Sequence, residues 1–270
     1  MATAILLVGC GKMGRALLEG WLATGTAATD VHIVEPGSVD QEGLPAGIGL
    51  HQNIDGLPEN YSPDVVVFAV KPQIMGEVAP AYKRFAGNAD TVFLSIAAGR
   101  TIGFFEGALG SDAAIVRAMP NTPAAIRRGI TVLCANSHVG EDAKKICATL
   151  LDAVGETAWV AEESLLDAVT AVSGSGPAYI FLLSEAMAAA GIKVGLPADI
   201  AERLARATVA GAGELLRQSS DSAGKLRQNV TSPGGTTEAA LSVLMAGDGL
   251  IPLMEKAIKA ATDRSRELAG

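Results

Sequence analysis

The sequence predicts a two-domain protein, with an α/β N-terminal domain and an all-α C-terminal domain. Three observations lead to this prediction. Over the first 160 residues, short apolar segments alternate with helix-forming segments. A glycine-rich turn directly follows the first apolar segment, and beyond Ala161 only helical patterns remain. Such alternation is typical of a mainly parallel sheet that is flanked by helices.

Each predicted strand is short, and several are continuous apolar runs, as in strands that are covered on both faces. The predicted strands are Ile5–Gly9, Val31–Glu35, Asp64–Val70, Thr91–Ile96, Ala114–Met119, Ile130–Cys134 and Thr157–Val160. Segments with helical spacing or good helix formers separate these strands. The predicted helices between them are Met13–Ala23, Pro72–Phe85, Ile102–Ala108 and Glu141–Leu151.

The C-terminal half is predicted to be helical throughout, and Pro177 and Pro197 each fall in a first helical turn, where the missing N–H costs nothing. Its helices are lined with alanine, which leaves too little bulk for a self-sufficient core. We therefore expect domains at 1–160 and 161–270, and a partner chain that completes the second core. The predicted helices are Ser164–Val172, Pro177–Ala190, Pro197–Leu216, Ser222–Val230, Thr237–Ala246 and Ile251–Leu268.

Composition excludes several classes of function. The chain has 270 residues, a formal net charge of −8 and 4% aromatic residues, and no cationic cluster is interleaved with aromatics. Nucleic acid and membranes are therefore not expected partners; the most apolar stretch, Ala168–Ala190, is interrupted by polar residues, glycines and a proline. The three cysteines have no metal-ligand spacing, so we expect no metal, and their sparse use fits a reducing compartment such as the cytoplasm.

A nucleotide site is predicted at the turn after the first strand, Gly9-Cys10-Gly11-Lys12-Met13-Gly14. In the GxGxxG pattern, the first glycine permits the tight turn, the second lets the backbone approach a pyrophosphate, and the third allows close helix–strand packing. The pyrophosphate would rest on the helix N-terminus. A second strand that ends in Glu35, about 20 residues on, completes the pattern of a Rossmann dinucleotide-binding domain.

The choice between the two nicotinamide dinucleotides rests on a few residues at the adenosine end. A carboxylate at Glu35 accepts a hydrogen bond from a ribose 2′-OH and repels a 2′-phosphate, which favours NADH. Ser38 lies just beyond it, and Asn53 begins the next helical segment, where it can donate to a phosphate. The sequence therefore leans towards NADH and leaves NADPH open.

Three further loops are predicted to line the cofactor, because ligands of open α/β sheets bind at the carboxyl ends of the strands. Two of them end predicted strands and contribute Ala69, Val70, Lys71 and Pro72, and then Ile96, Ala97 and Ala98. The third is Arg117–Pro123, in which Asn121 is the candidate cofactor ligand.

Val230–Leu241, VTSPGGTTEAAL, interrupts the helical half with an unusual loop. The segment Thr231–Thr237 contains two glycines, a proline, three threonines and a serine, and none of these residue types favours a helix interior. Glycines let backbone N–H groups approach a ligand, and hydroxyls add directed donors. The loop is therefore predicted to hold a small anion.

Taken in order, these segments resemble the pyrroline-5-carboxylate reductases, the last enzymes of proline synthesis. The resemblance covers essentially the whole chain, and its SPGGTT motif is far more specific than GxGxxG. The residues that carry it are Val8–Gly14, Ala69–Pro72, Ser95–Gly99, Arg117–Ala124, Ser173–Tyr179 and Leu226–Leu244. It implies a helical domain that interlocks with a second subunit in a homodimer, and in many members a decamer. It also implies that the cofactor of one subunit meets the helical domain of the other.

The same resemblance assigns roles to the loop. It implies that the Ser232 hydroxyl and the N–H groups of Gly235 and Thr236 hold the substrate carboxylate, while Thr237 lies beside the ring nitrogen. Hydride would pass from NADH or NADPH to the imine carbon of 1-pyrroline-5-carboxylate, giving L-proline. The predicted substrate-binding residues are Val230, Ser232, Gly234, Gly235, Thr236, Thr237 and Ser175.

Thr237 is the predicted catalytic residue. The three histidines lie in the N-terminal half and in no motif. A cyclic imine is basic enough to be partly protonated near neutral pH, so its reduction needs positioning and a polar partner at nitrogen more than a strong acid. A threonine hydroxyl can supply that partner. We also expect Ser175 to cap the helix that Pro177 begins.

Other functions stay open. Hydroxyacid dehydrogenases also pair a Rossmann domain with a helical one, and they place a lysine on a C-terminal helix; Lys193 is the nearest candidate, but Gly191–Pro197 reads as an interhelical loop. Another cyclic imine is a second possible substrate. A nucleotide-sensing scaffold without chemistry is the third alternative, and it would have no use for an imino-acid loop.

Overall fold

The computed structural model describes residues 3–39, 43–87 and 91–269. The chain divides into two compact units, the first formed by Met1–Gly174 with Thr262–Gly270 and the second by Ser175–Ala261. The predicted domain ends at residues 1 and 270 lie outside the described residues. The predicted boundary between residues 160 and 161 stays a prediction.

The first unit is built on a sheet that, in the described residues, has eight strands. The order across the sheet is β3-β2-β1-β4-β5-β6-β7-β8. All neighbouring pairs are parallel except β6 and β7, which confirms the predicted α/β class with a mainly parallel sheet. The strands are β1 (Ile5–Val8), β2 (Val31–Val34), β3 (Gly49–His51), β4 (Val65–Phe68), β5 (Val92–Ser95), β6 (Ala114–Met119), β7 (Gly129–Ala135) and β8 (Gly155–Trp159).

Two apolar layers cover this sheet, as the continuous apolar strands predict. Every residue of β1, β4 and β5 is buried. One layer contains Trp21, whose indole N–H donates to the carbonyl oxygen of Leu150 at 2.8 Å, so that this large ring is buried without an unpaired donor. Because β1, β4 and β5 are parallel neighbours, their carboxyl ends lie at the same edge of the sheet.

Among the described residues, five helices lie wholly within the first unit: α1 (Lys12–Ala23), α2 (Met75–Val78), α3 (Ile102–Leu109), α4 (Glu141–Asp152) and α5 (Leu165–Val169). The prediction of one helix over Pro72–Phe85 was wrong in detail. Only Met75–Val78 is α-helical, and 3₁₀ turns lie on both sides of it. Pro80 explains the break, because it has no N–H with which to continue an α-helical ladder.

The predicted cap at Ser175 was also wrong. After α5 the chain passes through a π-helical turn, Thr170–Gly174, directly into α6 (Gly176–Lys193). Ser175 therefore has helical dihedrals, φ −84° and ψ −22°, and its side chain makes no capping hydrogen bond. A cap satisfies N–H groups that lack a preceding helical turn, and here the preceding turn already exists.

The second unit contains α6, α7 (Ala198–Gln218), α8 (Ala223–Asn229), α9 (Thr236–Leu244) and most of α10 (Leu250–Ala269). Small residues let α6 and α7 approach closely: a Cβ on Gly191 would lie 3.4 Å from the Cβ of Ala201. Lys193 is the last residue of α6, so the predicted interhelical loop starts later than Gly191. The Lys193 side chain is exposed.

Large apolar side chains of the second unit are exposed. Phe181 and Leu182 are each 63% exposed, and Val194 is 84% exposed. The helical stretch Leu165–Lys193 is long and apolar enough to cross a membrane by length and composition alone. A helical unit with this much uncovered apolar surface is incomplete as a single chain in water.

Candidate active site

The glycine-rich turn after β1 has the geometry that the GxGxxG pattern predicts. Gly9 has φ +90°, and a Cβ there would lie 2.6 Å from Cγ1 of Val70. A Cβ on Gly14 would overlap the carbonyl oxygen of Gly9. Gly11, by contrast, faces open space, with no heavy atom within 4 Å of its Cβ position. Two glycines therefore permit the fold, and the third leaves room for a ligand above the N-terminus of α1.

A cavity of about 630 Å³ lies beside this turn, in the first unit. It contains seven of the predicted cofactor-binding residues: Gly9, Gly11, Glu35, Asn53, Ala69, Val70 and Lys71. It also contains residues that the sequence did not single out, among them Pro36, Gln52, Ile54, Ile74, Glu77, Val78, Ala81 and Tyr82. Four of these eight, Ile54, Ile74, Ala81 and Tyr82, lie in the 3₁₀ turns after β3 and β4, and such short turns leave too little periodicity to be read from a sequence pattern.

Glu35 reaches back from the end of β2 to the glycine-rich turn. One carboxylate oxygen accepts from the N–H of Cys10 at 2.9 Å, and the other accepts from the N–H of Gly37 at 3.1 Å. The side chain thus fixes the turn and presents negative charge to the cavity. Glu77 lines the same cavity, and Lys71 is the cation among its lining residues.

Asn53 begins a 3₁₀ turn, as predicted for a helical start. Its Oδ1 accepts from the N–H groups of Asp55 and Gly56, both at 3.1 Å. Because the oxygen is engaged in this cap, Nδ2 is the atom that can donate to a ligand in the cavity.

The remaining predicted cofactor residues lie outside the lining of the cavity: Cys10, Lys12, Met13, Gly14, Pro72, Ile96, Ala97, Ala98 and Asn121. The Asn121 side chain has structural partners, since Oδ1 accepts from Ile130 N–H at 3.0 Å and Nδ2 donates to the Ser173 carbonyl at 3.2 Å. A cofactor contact from Asn121 would therefore come from its backbone. These assignments stay predictions.

Cys10 stays a thiol rather than a nucleophile. Burial raises the pKa of this thiol, and the carboxylate of Glu35 raises it further against the opposing effect of Arg15. Because the thiolate is the reactive form, the raised pKa argues against a redox role beside the cofactor.

An ion pair that the sequence did not reveal joins three elements of the first unit. Arg117, on β6, is 4% exposed, and its Nη1 lies 2.8 Å from Oε1 of Glu163. The same oxygen accepts from the N–H of Ile102 at the start of α3, also at 2.8 Å. One carboxylate thus ties β6 and α3 to the segment before α5. No sequence pattern predicts this pair, because its partners lie 46 residues apart.

The SPGGTT loop of the second unit joins α8 to α9 and is closed by its own hydrogen bonds. Thr231 Oγ1 donates to the carbonyl of Arg227 at 2.7 Å. Gly234 has φ +71°, and its N–H donates to Oε2 of Glu238 at 2.7 Å. Gly235 N–H donates to the carbonyl of Ser232 at 3.0 Å.

These bonds decide which donors remain for an anion. Gly235 N–H is engaged within the loop, so its predicted hold on the substrate carboxylate stays a prediction. The first intrahelical bond of α9 runs from Ala239 N–H to Gly235 O, at 3.2 Å. The N–H groups of Thr236 and Thr237 precede it, so they have no acceptor within the helix. With the hydroxyls of Ser232 and the two threonines, they form the donor set of the loop.

Comparison with known proteins identifies the family. Residues 163–268 match the family model described as pyrroline-5-carboxylate reductase dimerisation, and residues 4–99 match the model described as NADP oxidoreductase, coenzyme F420-dependent. A pyrroline-5-carboxylate reductase of Pseudomonas aeruginosa is 40% identical over 269 residues, which cover 98% of this chain and 96% of the relative. The chain belongs to the pyrroline-5-carboxylate reductase family.

Other pyrroline-5-carboxylate reductases agree in sequence and in fold. The enzyme of Synechocystis is 37% identical over 99% of both chains. The solved structure from Coxiella burnetii has a TM-score of 0.93 and 37% identity, and the match covers all of both chains. The solved structure from Plasmodium falciparum has NADP bound; its TM-score is 0.82 at 28% identity, over 99% of this chain and 98% of that one. The match confirms the predicted Rossmann and helical domains.

Proposed function

We propose that this chain reduces 1-pyrroline-5-carboxylate to L-proline with a nicotinamide dinucleotide as the hydride source. The observation that carries the proposal is the similarity over the whole chain to pyrroline-5-carboxylate reductases, which includes the dimerisation domain. The donor set of the SPGGTT loop supports it independently, because the substrate is a small carboxylate with a polar ring nitrogen.

The residues of the first unit fit a dinucleotide. The open space above Gly11 and the N-terminus of α1 would hold the pyrophosphate, while Glu35 and Asn53 would meet the adenosine ribose. When bound, the nicotinamide supplies a hydride. We propose NADH as the preferred cofactor, because Glu35 and Glu77 bring two carboxylates to the cavity, and a 2′-phosphate would add two more negative charges beside them.

In the second unit, the N–H groups of Thr236 and Thr237 and the hydroxyl of Ser232 would hold the substrate carboxylate at the N-terminus of α9. The partial positive charge of a helix N-terminus favours an anion there. Val230, Gly234, Gly235 and Ser175 remain proposed neighbours of the substrate.

Thr237 would orient the ring nitrogen. Reduction adds a hydride to the imine carbon and leaves one proton on nitrogen, so that C=N becomes CH–NH. The substrate can bring that proton as an iminium, and the Thr237 hydroxyl can accept a hydrogen bond from the iminium N–H or donate one to the neutral nitrogen. This role needs position more than acidity, which fits a site without histidine.

We further propose that two copies of this chain interlock and that the active site forms between them. The dimerisation-domain match and the exposed apolar side chains of α6 and α7 support self-association. A decamer and a cytoplasmic location remain finer proposals. The apolar stretch Leu165–Lys193 is then a face for a second copy rather than for lipid.

One assay tests the main proposal. The assay follows the oxidation of NADH and of NADPH in parallel, with 1-pyrroline-5-carboxylate as the substrate. In the reverse direction, 2- and 3-hydroxyacids are tested with the oxidised cofactors. We expect turnover with the imine, a higher kcat/KM with NADH than with NADPH, and no turnover with hydroxyacids. No absorbance loss with either cofactor would overturn the reductase function, and a higher kcat/KM for NADPH would overturn the preference alone.

A further inference from the structure

Glu238 lies in the first turn of α9, where its carboxylate contacts the SPGGTT loop. Its Oε2 accepts from the N–H of Gly234 at 2.7 Å, and the charged acceptor makes this a strong kind of hydrogen bond. Gly234 is the loop residue with a left-handed backbone, φ +71°. The side chain therefore holds the loop residue that is conformationally least restricted.

The same carboxylate competes with the substrate for the helix end. Acidic side chains in a first turn are stabilised by the partial positive charge of the helix N-terminus. The N–H groups of Thr236 and Thr237 belong to that turn, so an anion bound to them lies near the negative charge of Glu238. Arg227 and Glu238 both line a cavity of about 390 Å³, which Thr231 of the loop also lines.

We propose that Glu238 is a positioning residue that shapes the carboxylate site through its bond to Gly234 and weakens the hold of that site on substrate and product through its charge. The proposal rests on the proposed function, because it assumes that a carboxylate binds at the SPGGTT loop. The loop would then bind carboxylates with moderate affinity, because the side chain that orders it also limits how tightly it retains L-proline after reduction.

Two substitutions separate shape from charge. Glu238→Gln keeps an oxygen acceptor for Gly234 N–H and removes the charge, so we expect the KM for 1-pyrroline-5-carboxylate to fall about two- to fivefold, the scale of one partly screened charge. Glu238→Ala removes both, and we expect KM to rise about five- to fiftyfold as Gly234 loses its partner. The inhibition constant of L-proline should fall in Glu238→Gln and rise in Glu238→Ala by the same factors as KM, while kcat changes little in both variants.

Asp199 offers the matched control. It is an exposed carboxylate in the first turn of α7, at a helix start that has no SPGGTT loop, and Asp199→Asn and Asp199→Ala should leave KM within about twofold of the native value. Thermal unfolding and sedimentation of all four variants establish that the fold and the oligomer are unchanged.

The deciding quantity is the KM of Glu238→Ala divided by the KM of Glu238→Gln. We expect a ratio of at least about ten, and a ratio below about three overturns the proposal. Hydrogen exchange of the peptide 230–238 supplies a readout that needs no turnover: protection of the Gly234 amide should persist in Glu238→Gln and be lost in Glu238→Ala, and equal exchange in both overturns the proposal. If the native protein fails to reduce the imine, the proposed function falls separately.

Discussion

The two units of this chain differ in how fully a single copy covers their apolar side chains. The first buries its strands from both sides, and its glycine-rich turn is dictated by contacts inside the same unit, such as Gly9 against Val70. The second leaves Phe181, Leu182 and Val194 largely exposed, and its loop is closed by hydrogen bonds between residues three or four positions apart. The apolar core of the first unit is therefore complete within one chain, whereas the second unit leaves apolar surface that we propose a second copy covers.

This comparison is most directly broken at the exposed apolar face. Phe181→Glu would place a carboxylate in the surface that we propose two copies bury, and an uncompensated buried charge costs several kcal/mol, roughly 3–5 or more for each copy. We expect a monomer in sedimentation and a loss of imine reduction of at least about a thousandfold, while cofactor affinity stays within about threefold.

The control for this substitution is Leu50→Glu, which adds the same charge at an apolar residue of β3 that is 38% exposed in the first unit. It should retain the native oligomer and native turnover. A fully active monomer of Phe181→Glu would contradict a site that forms between two copies.

The second test concerns the loop itself. Thr237→Ala removes the hydroxyl that we propose lies beside the ring nitrogen, and we expect kcat to fall roughly ten- to a thousandfold, the scale of a lost oriented donor. Thr237→Ser restores a hydroxyl and should recover most of the rate. Cofactor binding, which the first unit supplies, should be the same in both variants, and an unchanged kcat would remove Thr237 from the mechanism.

A pair of glycine substitutions sharpens the description of the first unit. Gly11→Ala meets no protein atom, so the Tm should stay within about 2 °C of native while cofactor affinity falls roughly ten- to a hundredfold, because the new methyl group enters the ligand's space. Gly14→Ala overlaps the carbonyl oxygen of Gly9, so it should also lower the Tm, by roughly 5 °C. Calorimetric titration and thermal unfolding measure both effects. Equal Tm values would show that Gly14 has no packing role.

The smallest expected effect lies at the edge of the sheet. His32 Nδ1 and His51 Nε2 are 2.8 Å apart, and burial, with a smaller effect of His51, lowers the pKa of His32. A lowered pKa in the folded state means that the unfolded chain binds protons more readily. Stability should therefore be full above pH 6.5 and fall as the pH drops below it.

We expect this loss to be on the order of 1–2 °C in Tm between pH 7.5 and pH 5.5, because the ring is only part-buried. The variant His32→Gln, which cannot titrate, should show a flatter Tm-against-pH profile over the same range. Identical slopes for the two proteins would assign the pH dependence to other groups.

The sequence predicted those features that depend on residues close together along the chain. Apolar runs gave the strands of the first unit to within about two residues at each end, and the GxGxxG spacing located the turn beside the cavity. The short β3 was missed because Gly49–His51 has three residues and no apolar run. The pair Arg117–Glu163 was missed because only the folded sheet brings its partners together.

The substrate loop shows the same division at shorter range. Its composition predicted an anion site, but composition cannot say which N–H groups the loop uses for itself. Gly235 donates inward, and Gly234 is held by a side chain four residues ahead. A glutamate at the third position of a helix does carry a signal, since such residues often reach back to N–H groups before the first turn.

The last turns of α10 give the first unit a discontinuous chain. Ser265 is 7% exposed, and its hydroxyl donates to Asp167 at 2.7 Å; the carbonyl of Leu268 lies 3.2 Å from the Cβ position of Gly99. Synthesis from the N-terminus must therefore deliver almost the entire polypeptide before the nucleotide-binding half has all its neighbours. An N-terminal fragment that ends at Gly174 would lack one side of that half, and isolating it calls for circular permutation rather than truncation.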